Sequence, residues 1–138
     1  MPEEVRSRFL DALGLVGNPA STHGDGQSSL EILEGARERI AATLGAERVE
    51  VSLTSGGTES INLAVKGLFW ARQLEAPRPA ILLPRTEHHA TLEAAEWLRD
   101  RQGAELHWLE VDECGVLHPE TLADAIAEVG AERIALVT

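Results

Sequence analysis

The chain has 138 residues, 43% of them hydrophobic, which suits one globular domain built on a single core. Its formal net charge of −11, from 23 acidic against 12 basic residues, argues against a nonspecific nucleic-acid or anionic-membrane surface. No run approaches the roughly 20 apolar residues that span a bilayer, and Met1-Pro2-Glu3-Glu4 lacks the basic and apolar regions of a signal peptide. A single cysteine, Cys114, excludes an internal disulfide framework, and a cytoplasmic location is the default expectation.

Val5, Phe9, Ala12 and Leu13 fall at helical spacing and predict a short amphipathic helix over residues 3–13. The stretch from Gly14 to Gly26 holds four glycines and a proline and reads as a loop, of a length often used for function. From Ser28 or Ser29 a second helix begins, with Ile32, Leu33, Ala36, Ile40, Ala41 and Leu44 on one stripe and Gly45 as its stop. Val49, Val51 and Leu53 alternate with Glu50 and Ser52, which predicts a strand leading into Thr54-Ser55-Gly56-Gly57-Thr58-Glu59.

A third helix follows those glycines, with Ile61, Ala64, Val65, Leu68 and Phe69 on its apolar face. Pro77 and Pro79 then lead to Ala80-Ile81-Leu82-Leu83, the continuous apolar run of a strand buried on both faces. Arg85-Thr86-Glu87-His88-His89 sits at the carboxyl end of that strand, before a helix from about Ala90 to Arg101. Leu106, Trp108, Leu109 and Val111 predict a further strand, ended by the turn Asp112-Glu113-Cys114-Gly115. Pro119 opens a helix with Leu122, Ala125, Ile126 and Val129 as its core stripe, and Ile134 to Val137 form the last strand.

Strand and helix alternating at this spacing predict an α/β fold of parallel βαβ units, a mostly parallel sheet with flanking helices. Ligands of such sheets bind outside the carboxyl ends of the strands, which puts Gly56-Gly57 and His88-His89 on one edge. The glycine pair lets backbone approach a ligand, and the first turn of the following helix leaves amides unpaired at the positive end of its dipole. Phosphate binding is one reading of this junction, with Thr58 adding a hydroxyl; a tight turn with an N-cap is the other.

Several other residues invite chemistry. The adjacent side chains of His88 and His89 diverge, and no Cys or His partner lies at ligand spacing, so no metal site is expected. A flat imidazole at this edge suits stacking on a ring, with capping as the alternative role. His23 and Asp25 read as turn residues, His107 and His118 as structural or solvated ones. Cys114 lies in an acidic turn, Glu110-Val111-Asp112-Glu113-Cys114, which disfavours a thiolate nucleophile.

Taken together, Gly17-Asn18-Pro19-Ala20-Ser21 with His23, the Ala36-Arg37 helix, Thr54-Ser55-Gly56-Gly57-Thr58-Glu59 with Asn62-Leu63-Ala64, Glu87-His88-His89-Ala90, and Val111-Asp112 before Gly115 resemble the cysteine desulfurases. These are pyridoxal-phosphate enzymes of the class V aminotransferase superfamily, and the match runs in order over nearly the whole chain. The resemblance implies the large domain of a fold type I transferase. It also implies that Gly57 and Thr58 hold the cofactor phosphate, and that His88 stacks on the pyridine ring and takes part in moving protons. The Asn18 loop would lie near the active site or a dimer boundary.

The family's Schiff-base lysine, its pyridine-pairing aspartate and its sulfur-accepting cysteine have no counterparts here. Lys66, the single lysine, matches a position in the helix after the phosphate turn, and Cys114 a surface turn. The expectation is therefore a partial pyridoxal-phosphate-binding large domain over 1–138, with an N-terminal helix and active-site-edge loop over 1–27 and βαβ units over 28–138. It would be an N-terminal fragment, inactive alone, of a homodimeric enzyme that converts L-cysteine to L-alanine. That enzyme would pass sulfur as a persulfide to an acceptor or scaffold protein for iron–sulfur cluster assembly. The alternatives are another class V aminotransferase or lyase, or a noncatalytic phosphate- or partner-binding α/β fragment.

Overall fold

A computed structural model describes all residues, 1–138, as two compact units, Met1–Leu53 and Thr54–Thr138. The first unit holds α1 (Glu3–Leu13), α2 (Gly24–Leu44) and a single 3-10 turn at Arg48–Glu50. None of the residues of α1 is buried, and in α2 only Gly26 and Ala41 are. The apolar stripes expected on these helices are present, yet Phe9, Ile32 and Leu44 remain exposed in the chain.

Two expectations for this unit are corrected. α2 begins at Gly24, four residues before Ser28, with Asp25 in its first turn and His23 as its N-cap. Glycines usually weaken a helix, but Gly26 is buried where a Cβ would come within 2.6 Å of the Ser21 carbonyl. The 17–21 loop is thereby laid against the helix start, itself turned by the Asn18 side chain accepting the Ala20 N–H at 2.9 Å.

The strand expected at Val49–Leu53 does not form. Glu50 accepts the Glu47 N–H at 2.7 Å in a capping box, which closes a 3-10 turn and leaves Val49 79% exposed. Alternation alone makes no strand without a partner edge.

The second unit contains α3 (Gly57–Gln73), β1 (Ala80–Pro84), α4 (His89–Gln102), β2 (Glu105–Leu109), α5 (Pro119–Val129), a 3-10 turn at Ala131–Arg133 and β3 (Ile134–Val137). The strands form a parallel sheet in the order β2-β1-β3, with Ile81 opposite Leu106 and Leu136. β1, the central strand, is wholly buried, as its uninterrupted apolar run requires.

Its alternating side chains feed two cores. Ile81 and Leu83 pack with Val65 and Phe69 of α3 and with Ala94, Ala95 and Leu98 of α4. Ala80 and Leu82 pack with Leu109, Val129 and Ile134, over which α5 lays Leu122, Ala125 and Ile126. The path along the sheet reverses at β2, so two crossovers of one hand must place α4 and α5 on opposite faces. Ile81, Leu82, Leu83 and Leu98 are fully buried, each contributing about 1.5–3 kcal/mol of apolar burial.

The buried stripe of α3 is narrower than expected. Ile61, Val65 and Phe69 face the core at i, i+4 and i+8, while Leu68 is 52% exposed. β2 ends at Leu109, short of Val111, and the chain leaves the sheet at Glu110.

Candidate functional site

α3 and α4 pack on the same face of the sheet, one preceding β1 and the other following it. Both therefore run antiparallel to β1, and their N-termini lie together at its carboxyl edge. Side chains along their length join them: Trp70 meets Trp97 edge to face with centroids 6.4 Å apart, and Lys66 Nζ lies 4.6 Å from the Trp97 ring centroid.

At the head of α3, Gly56 is the N-cap and supplies no side chain to its first turn. The amides of Gly57, Thr58 and Glu59 have no acceptor within the chain, and the Thr58 hydroxyl makes no hydrogen bond. Gly57, Thr58 and Glu59 are all exposed, and a Cβ built on Gly56 or Gly57 would meet nothing within 4 Å, so the chain leaves this turn uncovered. The helix dipole adds about half a positive charge at the same point.

The turn before these amides is gripped from behind. Glu59 Oε2 accepts the Ser55 N–H at 2.7 Å and the Ser55 hydroxyl at 2.6 Å. These bonds, the hydroxyl's first, hold the Glu59 carboxyl below its ordinary range. Thr54 Oγ1 and Ser60 Oγ are 2.6 Å apart, and Ser60 also donates to the Gly56 carbonyl at 3.3 Å. Sequence reading missed both clasps. The Ser55-to-Glu59 spacing is one residue longer than a capping box, and it was the only available signal.

At the head of α4, His88 is the N-cap and is exposed, with His89 as the first helical residue. His88 Nδ1 accepts the Ala90 N–H at 3.1 Å, which places the ring proton of neutral His88 on Nε2. The His88 and His89 rings diverge, with centroids 6.1 Å apart and planes at 61°. Nearby, the Arg85 guanidinium lies 4.2 Å from the Trp108 ring centroid, a contact between the ends of β1 and β2 that the sequence did not announce.

The structure thus gathers Gly57, Thr58 and His88 at the heads of two adjacent parallel helices. Lys66 is held over Trp97, about two and a half turns along α3, and Cys114 is exposed in the turn after β2. That turn is organised by Asp112, which accepts the N–H groups of Cys114 at 2.8 Å and Val116 at 2.9 Å and pairs with His118 Nε2 at 2.9 Å. The Val116 bond, then His118, holds the Asp112 carboxyl below its usual range. His107 Nε2 is buried without a hydrogen bond, and His23 makes no side-chain cap to α2.

Curated proteins are similar to this chain in sequence. The chain is 44% identical over 112 residues to the IscS-like cysteine desulfurase of Mycobacterium tuberculosis, covering 80% of this chain and 28% of that protein. It is 41% identical over 110 residues to the cysteine desulfurase IscS of Dictyoglomus turgidum, covering 80% of this chain and 27% of that protein. The chain spans less than a third of the length of these relatives.

Two solved structures share the fold. A NifS-like protein superposes with a TM-score of 0.77 at 31% identity, covering 90% of this chain and 33% of that one. DndA from Streptomyces lividans gives 0.71 at 32% identity, covering 88% and 33%. These likenesses agree with the parallel α/β architecture of fold type I transferases. Residues 2–137 match the family model described as aminotransferase class-V, and the chain belongs to the class-V aminotransferase family.

Proposed function

We propose that this chain carries the phosphate cup and ring-stacking histidine of a pyridoxal-phosphate-dependent cysteine desulfurase, which converts L-cysteine to L-alanine and passes the sulfur on as a persulfide. The observation that carries the reading is the head of α3, where Gly57 and Thr58 present two unpaired amides and a free hydroxyl to open space. A phosphate fits this donor set in charge and in hydrogen-bond number. The similarity to proteins named cysteine desulfurases selects pyridoxal phosphate among phosphate ligands.

When bound, the cofactor supplies the electron sink for bond breaking at the substrate α-carbon. Gly57 and Thr58 fix its phosphate, and the macrodipole of α3 offsets phosphate charge. His88, exposed at the head of the adjacent helix, offers a flat ring face for stacking. Its Nδ1 is engaged by Ala90, so Nε2 is the atom through which it would hold or deliver a proton. Lys66, held over Trp97, and Cys114, in the surface turn after β2, take no part.

The proposal extends to a homodimer, to a sulfur-acceptor partner in iron–sulfur assembly and to a cytoplasmic setting. The exposed apolar stripe of α1 supports the first. No helix of the chain is long and apolar enough to cross a membrane.

Titrating the 138-residue chain with pyridoxal phosphate, followed by amide NMR, tests the site. Shifts centred on Gly57, Thr58 and the His88 ring are expected, and their absence at saturating cofactor would overturn the reading. The chain alone is expected to release no alanine from L-cysteine, which amino-acid analysis would detect.

A further inference from the structure

We infer that Glu59 is a positioning residue, whose carboxylate holds the Ser55–Gly56 turn so that the Gly57 and Thr58 amides face the phosphate. The inference rests on the reading of this edge as a cofactor site, and it adds a residue that touches no part of the ligand.

The argument starts from an apparent conflict. Glu59 lies in the first turn of α3, two residues from the proposed phosphate contacts at Gly57, and an ionised carboxylate there should repel a phosphate. Its orientation resolves the conflict. One oxygen, Oε2, takes both the amide and the hydroxyl of Ser55, at 2.7 and 2.6 Å, so the charge is directed back toward the preceding turn.

The turn needs this grip. Gly56 and Gly57 have no side chains to fix them, and nothing in the chain lies within 4 Å of where their Cβ atoms would be. Two adjacent glycines in open space carry the largest conformational entropy a dipeptide can have. A rigid cup therefore depends on residues that flank the pair. Glu59 clasps Ser55 on one side, and Ser60 clasps Thr54 at 2.6 Å and the Gly56 carbonyl at 3.3 Å on the other. Ordering the turn before binding removes an entropy cost that the phosphate contacts would otherwise have to offset.

Glutamine can accept the same two hydrogen bonds without the charge, whereas alanine can accept neither. The unliganded 138-residue chain and its E59Q and E59A variants are compared first by amide NMR and hydrogen exchange. Positioning predicts that the Ser55 amide resonance is kept in E59Q and moves upfield in E59A. It also predicts that the Ser55 amide, the one Glu59 holds in a hydrogen bond, exchanges at least fivefold faster in E59A alone. Equal Ser55 shift and exchange in all three proteins would overturn the inference whether or not any ligand binds.

Pyridoxal phosphate is then titrated into the same three proteins. Affinity within about twofold of wild type in E59Q and about tenfold weaker in E59A is expected. Tighter binding in both variants would show Glu59 to be only a repelling charge, and would overturn the inference. Failure of the wild-type chain to show any shift at Gly57 and Thr58 would overturn the cofactor reading instead, while the ligand-free comparison still decides the clasp.

Discussion

His88 Nδ1 accepts the backbone N–H of Ala90 at 3.1 Å, so the ring proposed to stack on the cofactor is also the cap of α4. One contact orients the ring, fixes its tautomer and satisfies an orphan donor of the helix. Capping and stacking can be separated. H88A should lose about 1 kcal/mol of stability, the usual cost of removing an N-cap, while H88N retains a capping oxygen and most of that stability. Both variants should bind pyridoxal phosphate more weakly. Urea denaturation beside the titration checks this, and equal stability of H88A and H88N would remove the cap from the account.

Thr58 provides a cleaner division between fold and ligand. Its hydroxyl makes no hydrogen bond in the chain, so T58V should leave the unfolding midpoint almost unchanged. Loss of one charge-assisted hydrogen bond to phosphate should weaken pyridoxal phosphate about tenfold, or about 1.4 kcal/mol. An unchanged dissociation constant would show that the hydroxyl makes no contact.

Acid should weaken the second unit through two named carboxyls. Glu59 and Asp112 are both held below their ordinary values, by Ser55 and chiefly by the Val116 N–H. A depressed folded-state value means that the stabilisation is complete above the unfolded-state value, about 4 for carboxyls. It is lost as pH falls through the folded-state values. The denaturation midpoint followed from pH 7 to 3 should therefore drop at the acid end. D112N should show a shallower drop than wild type, and identical acid limbs would exclude Asp112 as a contributor.

Leu83 of β1, packed beneath α3, and Leu68 on the outer side of α3 make opposite predictions for the same change. L83A opens a cavity in the fully buried β1 and should cost about 2–5 kcal/mol. L68A removes a half-exposed side chain and should change stability by about 0.5 kcal/mol or less. K66M, which removes the cation over Trp97, should cost about 0.5–1 kcal/mol and leave cofactor affinity unchanged. A large loss in L68A would restore the wider stripe that periodicity implied.

Local chemistry determined most of the second unit by itself. The unbroken apolar run at Ala80–Leu83 could only be buried on both faces, and Pro119 could open a helix but not continue one. The resemblance to a family likewise rests on residues read one after another, including Gly57, Thr58 and His88. Tertiary structure decided what pattern leaves open. Val49–Leu53 alternates like a strand but finds no neighbouring edge, and Leu68 lies on the stripe of α3 yet beyond the reach of the sheet. Glu59 gripping Ser55 and His88 capping α4 depend on where a side chain turns once its backbone is placed. Sequence carries the periodicities of burial and the identity of each donor and acceptor; pairing, depth and orientation exist only when distant segments share one space.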